Sequence, residues 1–331
     1  MAPRRRRRDA LTLGRFVVRR VVQAIPTFLG ITLVSFVVLR LAPGDPVSIM
    51  VAGSQNLSPQ DLATMRAAYG LDQPLPVQYL DWLKHLLEGD FGQSFIYKRP
   101  VTDMIGSALP NTLLLGGLAL IVTILIGVPL GVLAARHRGS WLDQIIRVVA
   151  VAGHAIPDFW FGLLFILILS VQFRAFPVGG MLTIGKDNLD IPDRLSHLVG
   201  PVLTLSLAGI ANFSRYMRAE TLEVLAQDYI RTARAKGLQE GFVLFVHTLR
   251  NALLPLVTAL GSQVAFLLSG AVVVEHVFAW PGMGRMAYDA ARSKDYPIVM
   301  GVVVIASAML LISYIVRDVA YGIIDPRVRR V

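Results

Sequence analysis

The sequence reads as an all-α polytopic membrane protein with six spanning helices, and three observations carry that reading. The chain is 54% hydrophobic and only 16% charged, with several uncharged runs of about twenty residues. At ~1.5 Å per residue such a run crosses a hydrocarbon core of ~30 Å. Charge is also distributed unevenly. Of the 32 Lys and Arg, 21 fall in residues 1–20, 136–147, 214–252 and 317–331, and 11 in the three intervening stretches, which are longer in total. The positive-inside rule therefore assigns the first set, with both termini, to the cytoplasm. Finally, there is no Cys, which excludes disulfides, thiolate metal centres and cysteine nucleophiles. The net charge of +10 fits cytoplasmic loops facing anionic membrane lipid and does not call for a nucleic acid partner.

Residues 1–20 open on Arg4 to Arg8, read as a disordered basic cytoplasmic tail. The first span covers residues 21–39, including Pro26, and closes on Arg40 and a Pro/Gly turn at 42–46. Residues 40–111 form an extracytoplasmic helical segment. Within it Ser58-Pro59 has the form of an N-cap with Pro at N1, and a second amphipathic piece covers residues 77–87. The five-helix remainder, 112–331, holds spans at 112–135, 145–171, 198–213, 253–278 and 298–316. Gly116, Gly117, Gly127 and Gly131, then Gly261 and Gly270, permit close helix approach, and Gly127-x-x-x-Gly131 is a small-xxx-small pattern. Pro26, Pro129 and Pro157 are candidate kink sites.

Between the fourth and fifth spans lies the polar, basic stretch 227–255. It has the spacing of two short helices broken at Gly237, where φ > 0 is available at no steric cost. Tyr229, Ala233 and Gly237 recur at i, i+4 and i+8, a face tapering towards the break that another protein's backbone can approach.

Signatures of catalysis are scarce. The phosphate loop GxxxxGK[ST], HExxH and GxSxG are all missing, so no catalytic residue and no cofactor is assigned to this chain. Polar groups in or at the ends of spans are candidate pathway residues: His154, Asp158, Gln263 and Glu275. His154 and Asp158, four apart, pair on one helix face only if the helix continues through Pro157, which is placed to break it. Glu275 and His276 end the fifth span at the outer headgroup level or a vestibule.

The motifs RLAPGDP (40–46), YGLDQPLPVQY (69–79), GDFGQSF (89–95), LPNTL (109–113), IPDFW (156–160), YIRTARAKGL (229–238), HTLRNALLP (247–255), EHVFAWPGMGRM (275–286), DYP (295–297) and YGIIDPR (321–327) occur in an order that is specific. On them, the sequence resembles the first of the two permease subunits of bacterial ABC importers for dipeptides and oligopeptides, over nearly its whole length. The resemblance implies a type I ABC importer permease fold in the bacterial inner membrane, with both termini cytoplasmic. It implies as partners a second permease, two cytoplasmic ATP-binding subunits that hold ATP and Mg, and an extracytoplasmic peptide-binding protein. The 227–255 stretch then corresponds to the coupling loop, with Tyr229, Arg231, Thr232, Ala233, Arg234, Lys236, Gly237, Leu238, Leu249 and Arg250 at the ATPase interface. Against the general importer pattern (Glu-Ala-Ala, three residues, Gly, nine residues, Ile-x-Leu-Pro) only Ala233, Gly237 and Leu249 agree. Related permeases serve nickel, haem or glutathione. From the residues alone, a self-sufficient secondary transporter or an intramembrane enzyme stays open.

Overall fold

The computed structural model describes residues 3–42, 47, 58–187, 190–253 and 255–324. The turn expected at 43–46, the tail residues Arg327, Arg329 and Arg330, and the surroundings of Gly270 lie outside them. The described residues are helical, with a single isolated bridge pairing Gln93 and Pro100. The chain forms two compact units, one made of Arg20–Thr112 and Pro281–Leu311, the other of Met1–Arg19, Leu113–Trp280 and Ile312–Val331.

Helix α1 runs Pro3–Leu41, so the basic tail expected to be disordered continues the first span as helix. Arg is a good helix former, and extending an existing helix needs no new nucleus. The first unit takes α1 from Arg20 onward. It adds α2 (Pro59–Ala68) and α3 (Leu75–Leu87), the loop 88–100, the start of α4 (Val101–Arg136), α11 (Met283–Arg292) and the start of α12 (Tyr296–Ile324). The predicted cap on α2 is present. Ser58 Oγ accepts from Asp61 N at 3.2 Å and Asp61 Oδ2 accepts from Ser58 N at 2.9 Å, with Pro59 at N1. Val101, Ile105, Met283, Ala290 and Ile298 form the apolar core. Asp295, fully buried, fixes the loop by accepting from Ser94 Oγ and from the backbone N–H of Phe95 and Ile96, each at 3.1 Å. Thr112 Oγ1 accepts from Met283 N at 2.8 Å and so holds the start of α11.

The second unit contains the rest of α4, then α5 (Trp141–Ala155), α6 (Asp158–Phe165, prolonged by a π turn, Ile166–Gln172) and α7 (Ile191–Leu225). It continues with α8 (Asp228–Ala235), α9 (residues 240–252) and α10 (Leu256–Val277). Its core joins Leu115, Phe165, Leu205, Val274, Phe278 and Trp280. Close approach is located by glycine, as expected, at two of the four positions in α4. A Cβ on Gly131 would lie 2.5 Å from Ser214 O, and one on Gly127 would lie 2.9 Å from Phe213 Cβ, whereas Gly116 and Gly117 have nothing within 4 Å. Gly261 faces the Arg317 side chain.

Four helices among the described residues are long and apolar enough to cross a membrane: Val17–Leu41, Val101–Arg136, Ile191–Leu225 and Tyr296–Val319. The third span is broken at one of its candidate kink sites. Trp141–Ala155 and Asp158–Gln172 meet at a 100° bend, so the two make a fifth span only if the bent pair counts as one. The cause is Pro157, which lacks an N–H and drives Ile156 to extended backbone (ψ 123). Pro26 and Pro129, by contrast, interrupt neither α1 nor α4. The fifth predicted span coincides with the 22-residue α10, many of whose side chains lie outside the described residues.

Candidate coupling surface

Helix α7 stops at Leu225, the chain turns through Ala226, and Gln227 in extended backbone (ψ 149) starts α8. Gly237 ends α8 with φ +79, the left-handed conformation expected of it. Gln239, again extended, starts α9. What folds the two short helices together is a small apolar centre of Ile230, Ala233 and Val243, with Leu225 against it. Ile230 and Val243 are fully buried. Two polar ties close the turn from outside. Arg234 Nε and Nη2 donate to the two oxygens of Glu240 at 2.7 and 3.2 Å, and Asn251 Nδ2 donates to Tyr229 Oη at 2.9 Å. The Arg234 guanidinium holds the Glu240 carboxyl below the usual glutamate range, with Arg136 adding to the effect. Within α9 the backbone makes a π turn over Val243–Thr248, and Thr248 Oγ1 donates to Val243 O at 3.1 Å.

The expected interface residues separate accordingly. Tyr229, Arg231, Thr232, Arg234, Lys236, Gly237, Leu238 and Arg250 are exposed. Arg231 reaches Asp228 at 3.3 Å and otherwise faces outward. Ala233 is the correction: it is turned inward against Ile230 and Val243, so the tapering line of Tyr229, Ala233 and Gly237 is not a single outer face. Leu249 is half-buried against Phe213, Met217 and Leu256. Two residues that sequence reasoning did not select, Phe242 and Phe245, are 50% and 66% exposed. Their i, i+3 spacing within the apolar run 242–246 is the feature that marks them.

The candidate pathway residues lie on three helices, His154 on α5, Asp158 on α6, and Gln263 and Glu275 on α10. His154 lies exposed in the last turn of α5 and Asp158 half-buried in the first turn of α6, and no ion pair joins them among the described residues. Of the two outcomes open at Pro157, the break is the one found: it separates the pair into two helices. Glu275 is fully buried, while its neighbour His276 is exposed. Gln263 is buried in the second unit, and its Nε2 has no hydrogen-bond partner among the described residues. A Cβ on Gly209 would lie 2.6 Å from that nitrogen and 2.8 Å from Thr123 Oγ1, so glycine is what lets this polar group sit there.

The chain is 43% identical over 317 residues to the oligopeptide transport system permease protein AppB of Bacillus subtilis (strain 168), covering 96% of this chain and 99% of that one. It is 39% identical over 334 residues to the dipeptide transport system permease protein DppB of Escherichia coli (strain K12), covering 95% and 98%. A solved structure of inward-facing conformations of the MetNI methionine ABC transporter matches 66% of this chain and 97% of its own, with a TM-score of 0.52 at 16% identity, which establishes likeness of fold. The family of membrane-component N-terminal regions in binding-protein-dependent transport systems matches residues 13–116. The description "binding-protein-dependent transport system inner membrane component" matches residues 127–330, and the chain belongs to that family.

Proposed function

We propose that this chain is a transmembrane permease subunit of an ATP-driven peptide importer, forming half of the translocation pathway and coupled to a cytoplasmic ATPase through residues 227–255. The observation that carries the reading is the near end-to-end similarity to permeases named for oligopeptide and dipeptide transport. The coupling geometry adds to it. Helix α7 leads, through one turn at Ala226 and Gln227, into a compact two-helix elbow that presents Tyr229, Arg231, Lys236 and Leu238 outward. A partner that closes on nucleotide would push this elbow, and packed helices convey such a push as rigid-body movement of the spans. The basic side chains suit an acidic partner surface and set orientation and encounter rate, while Tyr229 and Leu238 supply contact area. In this reading both termini and the elbow are cytoplasmic, ATP and Mg belong to two partner subunits, and a binding protein delivers peptide from outside to a pathway shared with a second permease.

The test is uptake of a labelled dipeptide into proteoliposomes holding this chain, its second permease and its ATPases, with binding protein and ATP supplied. ATP-dependent uptake is expected, with nickel, haem and glutathione competing poorly. Gly237→Trp should leave the protein inserted, keep basal ATP hydrolysis and abolish peptide-stimulated hydrolysis and uptake. Transport of peptide by the isolated chain on a proton gradient would overturn the reading.

A further inference from the structure

We infer that the first unit holds a binding site for a small amphipathic carboxylate, of which a short peptide is the candidate that fits best. A cavity of about 830 Å³ lies among α1, α3, the 90–98 loop and the start of α12. That is within the range of small-molecule sites, ~300–1,000 Å³. Arg40, half-buried on its wall, has its Cζ 5.2 Å from the ring centroids of both Phe36 and Tyr296. Those ring faces hold the cation, yet its guanidinium makes no hydrogen bond or ion pair among the described residues. Five fork-shaped donors are thus unused in a partly dehydrated place, and their natural complement is a carboxylate accepted bidentately.

The rest of the lining suits what would be attached to that carboxylate. Tyr69 and Phe95 stack edge-on at 5.1 Å on the cavity wall and offer a ring surface to an apolar side chain. Gln78 commits its Nε2 to Gln73 O at 2.7 Å, and its buried Oε1 has no partner among the described residues. That oxygen is an acceptor suited to an amide N–H. Asp81, exposed on the same cavity, suits an ammonium. A fatty acid shares the carboxylate and the apolar body but would use neither Gln78 nor Asp81. The inference rests on the peptide-importer reading only for its choice of probe.

The experiment is equilibrium dialysis of labelled Ala-Phe against the full chain in phosphatidylcholine nanodiscs, with no ATPase and no binding protein present. Saturable binding is expected. On the unaltered chain, the C-terminal amide of the same dipeptide should bind at least ten-fold more weakly, which requires no variant to fold. Arg40→Gln should weaken binding of the acid at least ten-fold. Tyr69→Ala, at a half-exposed position, should weaken it several-fold. The proposal is overturned if amide and acid bind equally, if Arg40→Gln binds as the parent does, or if decanoate occupies the site and Ala-Phe cannot displace it. Because binding is read without nucleotide, a loss of uptake with binding intact counts against the importer reading alone.

Discussion

At the scale of single residues, Asp295 and Gly131 show how one position can decide a contact. Asp295 is fully buried and takes three hydrogen bonds from Ser94, Phe95 and Ile96. Asp295→Ala would leave the Ser94 hydroxyl and two backbone N–H groups without their acceptor. Hydrogen bonds to charged groups contribute about 1.5–3 kcal/mol each, with partial recovery through water. A loss of about 3 kcal/mol is expected, read as a lower midpoint for thermal unfolding in detergent, with Asp295→Asn losing less. Gly131→Ala sets a methyl 2.5 Å from Ser214 O and 2.7 Å from Met217 Cβ. Forcing α4 off α7 should cost about 1–3 kcal/mol, whereas Gly116→Ala, with nothing within 4 Å, should leave the midpoint unchanged or slightly raise it. The Asp295 contact was not legible beforehand, because Ser94 and Asp295 are 201 residues apart, whereas the small-xxx-small spacing of Gly127 and Gly131 set them apart from Gly116.

At the scale of elements, the tie between α8 and α9 has a defined pH dependence. Glu240 has a folded-state pKa below its ordinary value. The Arg234–Glu240 tie therefore contributes fully above the unfolded glutamate pKa of ~4.3 and is lost as pH falls through the lowered folded value. Amide exchange across 234–243 should stay slow from neutral pH down to that range and quicken below it, after correction for the intrinsic pH dependence of exchange. Glu240→Gln should show the quickening at every pH. A second tie is the bidentate pair of Arg218 on α7 and Asp143 on α5, at 2.7 and 2.9 Å, with Arg147 adding a contact at 3.4 Å. Asp143 is 1% exposed, so Asp143→Ala should be more damaging than the double change Asp143→Ala with Arg218→Met. The single change leaves two cations facing a cavity, and thermal midpoints of the two variants compare them directly.

What the sequence made readable at this scale was whatever is local. The Ser58 cap, the stop at Gly237 and the break at Pro157 each depend on a few adjacent residues. Hydropathy, however, reports the bilayer and not the helix. Helix α7 was read as 198–213 because Arg215, Arg218, Glu220 and Glu223 end the apolar run, yet the helix continues to Leu225. The inward turn of Ala233 was hidden for another reason. It depends on Val243, ten residues on and beyond a glycine, coming back to cover it.

At the scale of the whole molecule, the bend at Ile156-Pro157 turns one predicted span into two helices meeting at 100°. The residues most suggestive of chemistry in the sequence, His154, Asp158 and Glu275, lie on three different helices, whereas the basic loop, which lacks any catalytic signature, folds into a defined body. Helix α7 is the part that joins that body to the opposite end of its unit. Its 35 residues measure about 52 Å, so a swing of only about 5° at the elbow carries the far tip through about 4.5 Å. Stiffness along this one shaft would let a small stroke at one end become a side-chain-sized displacement at the other. Inserting a Gly-Pro hinge near its middle should therefore cut the leverage while sparing both ends.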